Sequence, residues 1–327
     1  MTSFPTRRLR RLRSSQTVRD MLAGVRLSTD ELIAPMFVRE GTGVRQPIES
    51  MPGQFQLSVD TALETARRWA GLGLRAVLLF GIPDTKDAVG SEAWNDSAAV
   101  QRLTGEIKGA LPDMLVITDV CLCEYTDHGH CGTLVDRDGL PDVDNDATLE
   151  SLARVAASHA RCGADIVAPS AMMDGQVQAI RSMLDADGFN DTAIMSYAVK
   201  FASALYGPFR QAAEGAPKSG NRKGYQMDYR CPMQVRPEAA MDAAEGADIL
   251  MVKPAWTYLD VISEVRRSFD LPLAAYHVSG EFSVLHAAAE NGWIDLKDAA
   301  MEVTSAIKRA GADLVITYFA EQLAQWI

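Results

Sequence analysis

Two lysines in this 327-residue chain close apolar runs: Lys200 ends Met195-Ser-Tyr-Ala-Val-Lys, and Lys253 ends Leu250-Met-Val-Lys. Lysine is rarely buried without a purpose. One such lysine can snorkel its ammonium to the rim of a core; two at the same point of successive runs ask for a chemical explanation. Two ammonium groups about 6 Å apart at an effective dielectric of ~20 repel by ~2.8 kcal/mol, enough to lower one pKa by about two, and burial lowers it further. A lysine that is neutral near pH 7 attacks carbonyl carbon and forms a Schiff base. Two of them suggest two keto substrates.

A second constellation lies upstream. Cys121 and Cys123 are two residues apart, so both thiols of an extended segment point to one face, and Asp119 shares that face. Cys131 follows after Glu-Tyr-Thr-Asp-His-Gly-His. Three thiolates can bind zinc and leave the fourth tetrahedral position open, as a catalytic zinc requires. His128 or His130 can instead close the site and make it structural, and three buried free thiols are the alternative without metal. Five cysteines, an odd number, do not form a secreted disulfide framework.

Charge is unevenly spread. The whole chain carries −11 with 47% hydrophobic, 23% charged and 7% aromatic residues, an ordinary globular mix. Such an acidic chain is a poor partner for nucleic acid or an anionic membrane. An anionic substrate needs a local positive pocket, and the Gly/Pro-punctuated stretch from Tyr206 to Cys231 offers one with Arg210, Lys218, Arg222, Lys223 and Arg230. As a lid over the lysines, about 204–231, it can clamp a carboxylate and exclude water. Residues 1–30 hold Arg7, Arg8, Arg10, Arg11, Arg13, Arg19 and Arg26 against Asp20 and Asp30. This basic arm is expected to pack on an acidic neighbouring subunit, burying residues such as Phe4 and Leu9. No secretory leader and no long apolar span are evident, so the expected location is the cytoplasm.

The elements that position these residues read as eight apolar runs: Leu32–Val38, Ala76–Phe80, Leu115–Leu122, Ile166–Pro169, Ala193–Val199, Ile249–Val252, Leu273–Val278 and Leu314–Phe319. Their length and composition suit buried parallel strands, and helical patterns separate them. One of these is expected to cap on Asp146 and to end at Gly163. A Gly-Ala-Asp junction recurs at Gly163, Gly246 and Gly311, where a glycine ends a helix and a strand follows. Eight strands alternating with helices predict a (β/α)8 TIM barrel over residues 31–327 behind an extended N-terminal arm. The Gly-rich loop that would announce a doubly wound sheet is missing. A barrel's chemistry sits at the carboxyl ends of its strands. There stand Asp119, Cys121 and Cys123, then Ser170, Lys200, Lys253, Ser279 and Tyr318.

Long stretches of the chain resemble the porphobilinogen synthase (5-aminolevulinate dehydratase) family. They are Ile33-Ala-Pro-Met-Phe-Val, Asp119-Val-Cys-Leu-Cys-Glu-Tyr-Thr-Asp-His-Gly-His-Cys-Gly, Ala168-Pro-Ser-Ala-Met-Met-Asp-Gly, Met195-Ser-Tyr-Ala-Val-Lys-Phe-Ala-Ser, Tyr206-Gly-Pro-Phe-Arg, Asn221-Arg-Lys-Gly-Tyr-Gln-Met-Asp, Met251-Val-Lys-Pro-Ala and Tyr276-His-Val-Ser-Gly-Glu. The resemblance implies condensation of two 5-aminolevulinate molecules to porphobilinogen with loss of two waters, in tetrapyrrole and haem synthesis. It implies Schiff-base lysines at Lys200 and Lys253 with Asp119 beside them, and catalytic zinc on Cys121, Cys123 and Cys131. Arg210 and Arg222 would hold one substrate carboxylate, and Ser279 and Tyr318 the other. Ser170, Tyr197 and Gln226 complete the implied substrate contacts. The mechanism read from it gives Lys200 the propionyl-side substrate, and Lys253 with the zinc the acetyl-side one.

The resemblance further implies a homo-octamer of arm-exchanged dimers, and Glu238 matches the glutamate through which many bacterial members bind an allosteric magnesium. Some members carry Asp where this chain has Ala171. A second zinc of some animal members needs a cysteine where this chain has Gly224, and is not expected here. The competing activities are a class I Schiff-base aldolase, which needs one lysine and no thiolate metal, and a non-catalytic zinc-binding protein, which needs no lysine pair.

Overall fold

The structure, a computed structural model, describes residues 7–137 and 140–327. Eight parallel strands close into a barrel: β1 (Leu32–Arg39), β2 (Ala76–Ile82), β3 (Leu115–Val120), β4 (Ile166–Pro169), β5 (Ala193–Lys200), β6 (Ile249–Lys253), β7 (Leu273–His277) and β8 (Leu314–Thr317). They neighbour one another in chain order, and β8 returns to pair with β1 through Leu32–Val315 and Ile33–Ile316. Each coincides with one of the eight apolar runs, because a strand buried on both faces is apolar throughout rather than alternating. Three runs reach one or two residues past the strands that form; Leu122, Val278 and Phe319 already belong to the loops at the barrel mouth. The loops between strands carry helices, the longest being Asn145–Arg161. Among the described residues no helix is long and apolar enough to cross a membrane.

The Gly-Ala-Asp junctions have one structural cause. Gly163, Gly246 and Gly311 have φ of 98°, 107° and 129°, a region that residues with a Cβ rarely adopt. The aspartate two residues later reaches sideways to the preceding strand. Asp165 accepts from Val116 N at 2.8 Å, Asp248 from Ile194 N at 2.7 Å, and Asp313 from Leu273 N at 2.8 Å. Each carboxylate thus satisfies a strand-start amide at the closed end of the barrel. The site at the other end is set on this base.

Helix Asn145–Arg161 corrects one expectation. It caps on Asp144, whose side chain accepts from Ala147 N at 3.1 Å, and Asp146 sits within the first turn. Asp144 has the extended backbone that a cap needs, whereas Asp146 is already helical. Two hairpins were not foreseen. Arg45–Pro47 and Phe55–Ser58 add to the mouth end of β1, and Leu134–Arg137 pairs with Leu140–Val143 after the cysteine segment.

In the arm, a short 3-10 turn (Leu9–Arg13) and helix Gln16–Met21 bury none of their residues. Leu9, Leu12, Met21 and Leu22 are 50–71% exposed. The part of the arm before Arg7, Phe4 included, lies outside the described residues.

Candidate active site

Strands β5 and β6 lie side by side with Lys200 opposite Lys253. Both lysines are 5% exposed. Their ammonium groups share one ring, Tyr197, at 5.3 and 5.0 Å from its centroid. Lys200 donates to the carbonyl of Ser170. Lys253 lies in an aromatic cage, with Tyr276 at 4.2 Å, Phe209 at 5.1 Å and Tyr206 at 5.3 Å. Burial, reinforced by the charge of Lys200, lowers the Lys253 pKa to about 7. Burial is the larger cause, and repulsion between the two ammonium groups the smaller.

On the other side of Lys200, Asp119 at the end of β3 accepts from Ser170 Oγ at 3.1 Å. Its Oδ1 has no partner. Burial among protein atoms, with Glu124 nearby, raises its carboxyl to about 7 against the opposing pull of the lysines. At neutral pH it can therefore take up or release a proton.

The cysteine segment delivers three thiols. Cys121, Cys123 and Cys131 are buried and free, and their sulfurs all lie within 4.8 Å of one another. Hydrogen bonds from Cys121 and Cys123 hold the Cys131 thiol well below its ordinary pKa, so a thiolate is available. Converging soft donors of this kind fit zinc. Neither histidine completes the set. His130 uses Nδ1 on the Tyr225 hydroxyl at 3.1 Å and Nε2 on the Ser219 carbonyl at 2.9 Å. His128 faces Ala88 O at 3.2 Å and accepts from His130 N at 3.1 Å. Buried Glu124, which sequence reasoning passed over, lies 3.1 Å from Cys123 Sγ, and with Asp119 and Cys121 it forms a second group of ligand type. Its only sequence signal was its place directly after Cys123.

The lid is docked. Its helix Gly207–Ala212 inserts Phe209 against Phe37 and Phe80, with centroids at 5.7 and 5.1 Å. Tyr206 donates to Phe201 O at 2.7 Å. Gln56 donates to Ala212 O at 2.8 Å and Lys86 to Glu214 O at 2.7 Å. Arg222 is only 7% exposed and donates to Gly129 O at 2.9 Å and Gly215 O at 2.5 Å. The lid's anchors are buried, while residues 218–221, 223 and 224 face solvent. Arg210 Nε, Arg222 Nε and both polar side-chain atoms of Gln226 are nevertheless buried without a partner. Buried polar groups are normally paired, so orphaned donors on two arginines and an amide mark a place for an anion.

The remaining candidates divide. Tyr318 shares a 3.0 Å hydrogen bond with Tyr276 and stands close to the lysine cage. The Ser279 hydroxyl is already engaged by the lid: it accepts from Phe209 N at 3.0 Å and donates to Leu205 O at 3.4 Å. Glu238 is not brought to this cluster. It lines a cavity of about 450 Å³ with Asp142, Asp174 and Asp228, whose wall also includes Gln226 of the lid.

Residues 6–326 match the delta-aminolevulinic acid dehydratase family. The delta-aminolevulinic acid dehydratase of Synechococcus elongatus is 50% identical over 99% of both chains, and that of Bacillus subtilis is 48% identical over 98% of both. Among solved structures, the Toxoplasma gondii ME49 enzyme in complex with its reaction product porphobilinogen superimposes with a TM-score of 0.95 at 42% identity, covering 98% of this chain and 91% of that one. A dihydropteroate synthase from Coxiella burnetii, 13% identical with a TM-score of 0.52 over 92% of this chain and 94% of its own, shares the fold alone. Matched along almost its whole length, the chain belongs to the delta-aminolevulinic acid dehydratase (porphobilinogen synthase) family.

Proposed function

We propose that this chain condenses two 5-aminolevulinate molecules to porphobilinogen through Schiff bases on Lys200 and Lys253. The observation that carries this reading is the lysine pair itself: two buried, laterally paired amines beside one shared ring, with Lys253 shifted to about 7. A class I aldolase has no use for the second lysine, and a zinc-binding module has no use for either.

Each lysine in its neutral form attacks a keto carbon, and water leaves as the imine forms. The imine acidifies the neighbouring C–H, and Asp119 is the base within reach, held by Ser170. Carbon–carbon and carbon–nitrogen bonds then form at the iminium carbons, which act as electron sinks, and each lysine is returned when the amine left on that carbon takes up a proton and its bond to carbon breaks. The docked lid excludes water during these steps.

The strand order favours a different division of labour from the one read in the sequence. Lys200 bonds to Ser170, whose hydroxyl holds Asp119 two residues before Cys121, whereas Lys253 stands over Tyr276 of β7, the strand that leads to Ser279 and whose Tyr276 bonds to Tyr318. The thiolates and the arginine–glutamine grip thus go with Lys200 on the acetyl side, and Ser279 and Tyr318 go with Lys253 on the propionyl side. Ser279 would exchange its bond to the lid backbone for one to a substrate carboxylate.

Cys121, Cys123 and Cys131 would hold the family's metal as zinc, which would act as a Lewis acid toward the acetyl-side substrate. Glu238 would serve a regulatory magnesium in the cavity it lines with Asp142, Asp174 and Asp228. A cytoplasmic homo-octamer belongs to the same reading, and the uncovered apolar residues of the arm support a subunit contact there.

Borohydride reduction in the presence of 5-aminolevulinate tests the proposal. Peptide mapping should find a reduced adduct on both lysines. An adduct on one lysine alone would favour the aldolase, and none would favour a binding module.

A further inference from the structure

The mechanism leaves a buried carboxylate beside the Lys253 subsite without a task. Glu281, in the first turn of helix Ser279–Glu290, is 1% exposed. Its Oε2 accepts from Val278 N at 2.8 Å, and its Oε1 accepts from Thr257 N at 3.2 Å. The first bond is ordinary, since a glutamate at the third helical position commonly reaches back to the capping residue's amide. The second is not needed to cap a helix, and nor is burial.

The two amides have different owners. Val278 precedes Ser279, and Thr257 lies four residues beyond Lys253, in the loop that turns through Pro254. One carboxylate therefore ties the loop leaving the Lys253 strand to the loop that carries Ser279. Its charge faces backbone amides, including those of Ala255 and Trp256, and these oppose the upward push of burial, which still leaves the carboxyl at about 7.

We propose that Glu281 is a positioning residue that fixes the spacing between the Lys253 amine and the Ser279 hydroxyl, so that one 4-oxo acid is engaged at its ketone and its carboxylate together. This rests on the two-lysine reading of the function. The Lys200 side is set by Ser170 and Asp119 at the ends of β4 and β3, and Glu281 bonds to neither of them.

The test uses the full-length protein with its metal bound, 5-aminolevulinate as the probe, and site-resolved borohydride trapping. Glu281→Gln keeps the size of the side chain but turns one acceptor into an N–H group facing an amide hydrogen, so one of the two ties opens. Glu281→Asp keeps the charge but is one methylene too short to span both amides, and it is the second variant should the first not fold. The half-saturating concentration for the Lys253 adduct should rise tenfold or more in either variant, with that for Lys200 within twofold of wild type in the same molecules. A purely structural role would weaken both adducts alike, in step with a lower Tm. Equal changes at the two lysines, or no change at Lys253, overturn the positioning role. Wild-type protein that forms no adduct on Lys253 instead overturns the two-lysine reading, and the positioning role with it.

Discussion

At the scale of residues, Lys253 and Asp119 set the pH response. Lys253 is a nucleophile only when neutral, and Asp119 is a base only when ionised. Both are shifted to about 7, from opposite directions. As pH falls through 7, Lys253 gains a proton and Asp119 becomes a carboxylic acid, so both lose their working forms together. The kcat/KM profile should show an acid limb with an apparent pKa near 7; a flat profile from pH 5.5 to 8 would contradict these roles. Cys123→Ala should lower bound metal per chain and activity together, because two thiolates hold zinc far more weakly than three. Metal analysis that returns a full complement in the variant would count against the site. These residues were legible because each carries an unusual chemistry at a strand end. Glu124, Gln56, Lys86 and Glu281 were not. Their meaning lies in contacts with residues distant in sequence or in burial, and neither leaves a periodic trace.

At the scale of elements, the barrel strands were readable because burial on both faces makes each a continuous apolar run. The paired strands Leu134–Arg137 and Leu140–Val143 were not, since Asp136, Arg137 and Pro141 give them no apolar face to detect. The recurring aspartates looked like punctuation and turned out to pair with neighbouring strands. Asp165→Ala should remove its bonds to Val116 N and to Lys108, costing about 1–3 kcal/mol, and calorimetry should find a lower Tm with KM unchanged. The lid invites the opposite result. A Cβ on Gly280 would meet Leu205 O at 2.4 Å and Leu205 Cα at 2.7 Å, both backbone atoms that cannot swing aside. Gly280→Ala should therefore part the start of the lid from helix Ser279–Glu290 and raise KM several-fold, with a smaller fall in Tm than Asp165→Ala gives. An unchanged KM would mean that lid docking does not govern substrate capture.

At the scale of the whole molecule, the arm is the part with least support from its own chain. Leu9, Leu12, Met21 and Leu22 stay exposed, and the arm's arginines adjoin a chain whose remainder is more acidic than −11. Deleting residues 1–24 should leave a folded barrel of lower oligomeric state and lower activity, since a subunit that binds only the folded neighbour stabilises it by mass action. Sedimentation showing an unchanged assembly with full activity would remove the arm from the account. The central claim, however, is chemical: two 5-aminolevulinate molecules become one porphobilinogen on two lysines. Its most direct test is the porphobilinogen formed per unit time by the purified, metal-loaded protein and by its Lys253→Ala variant. Steady product is expected from the wild type, and a loss of at least about 10³-fold in the variant, as for other enzymes deprived of a nucleophile. No product from the wild type, or comparable rates from both, would contradict it.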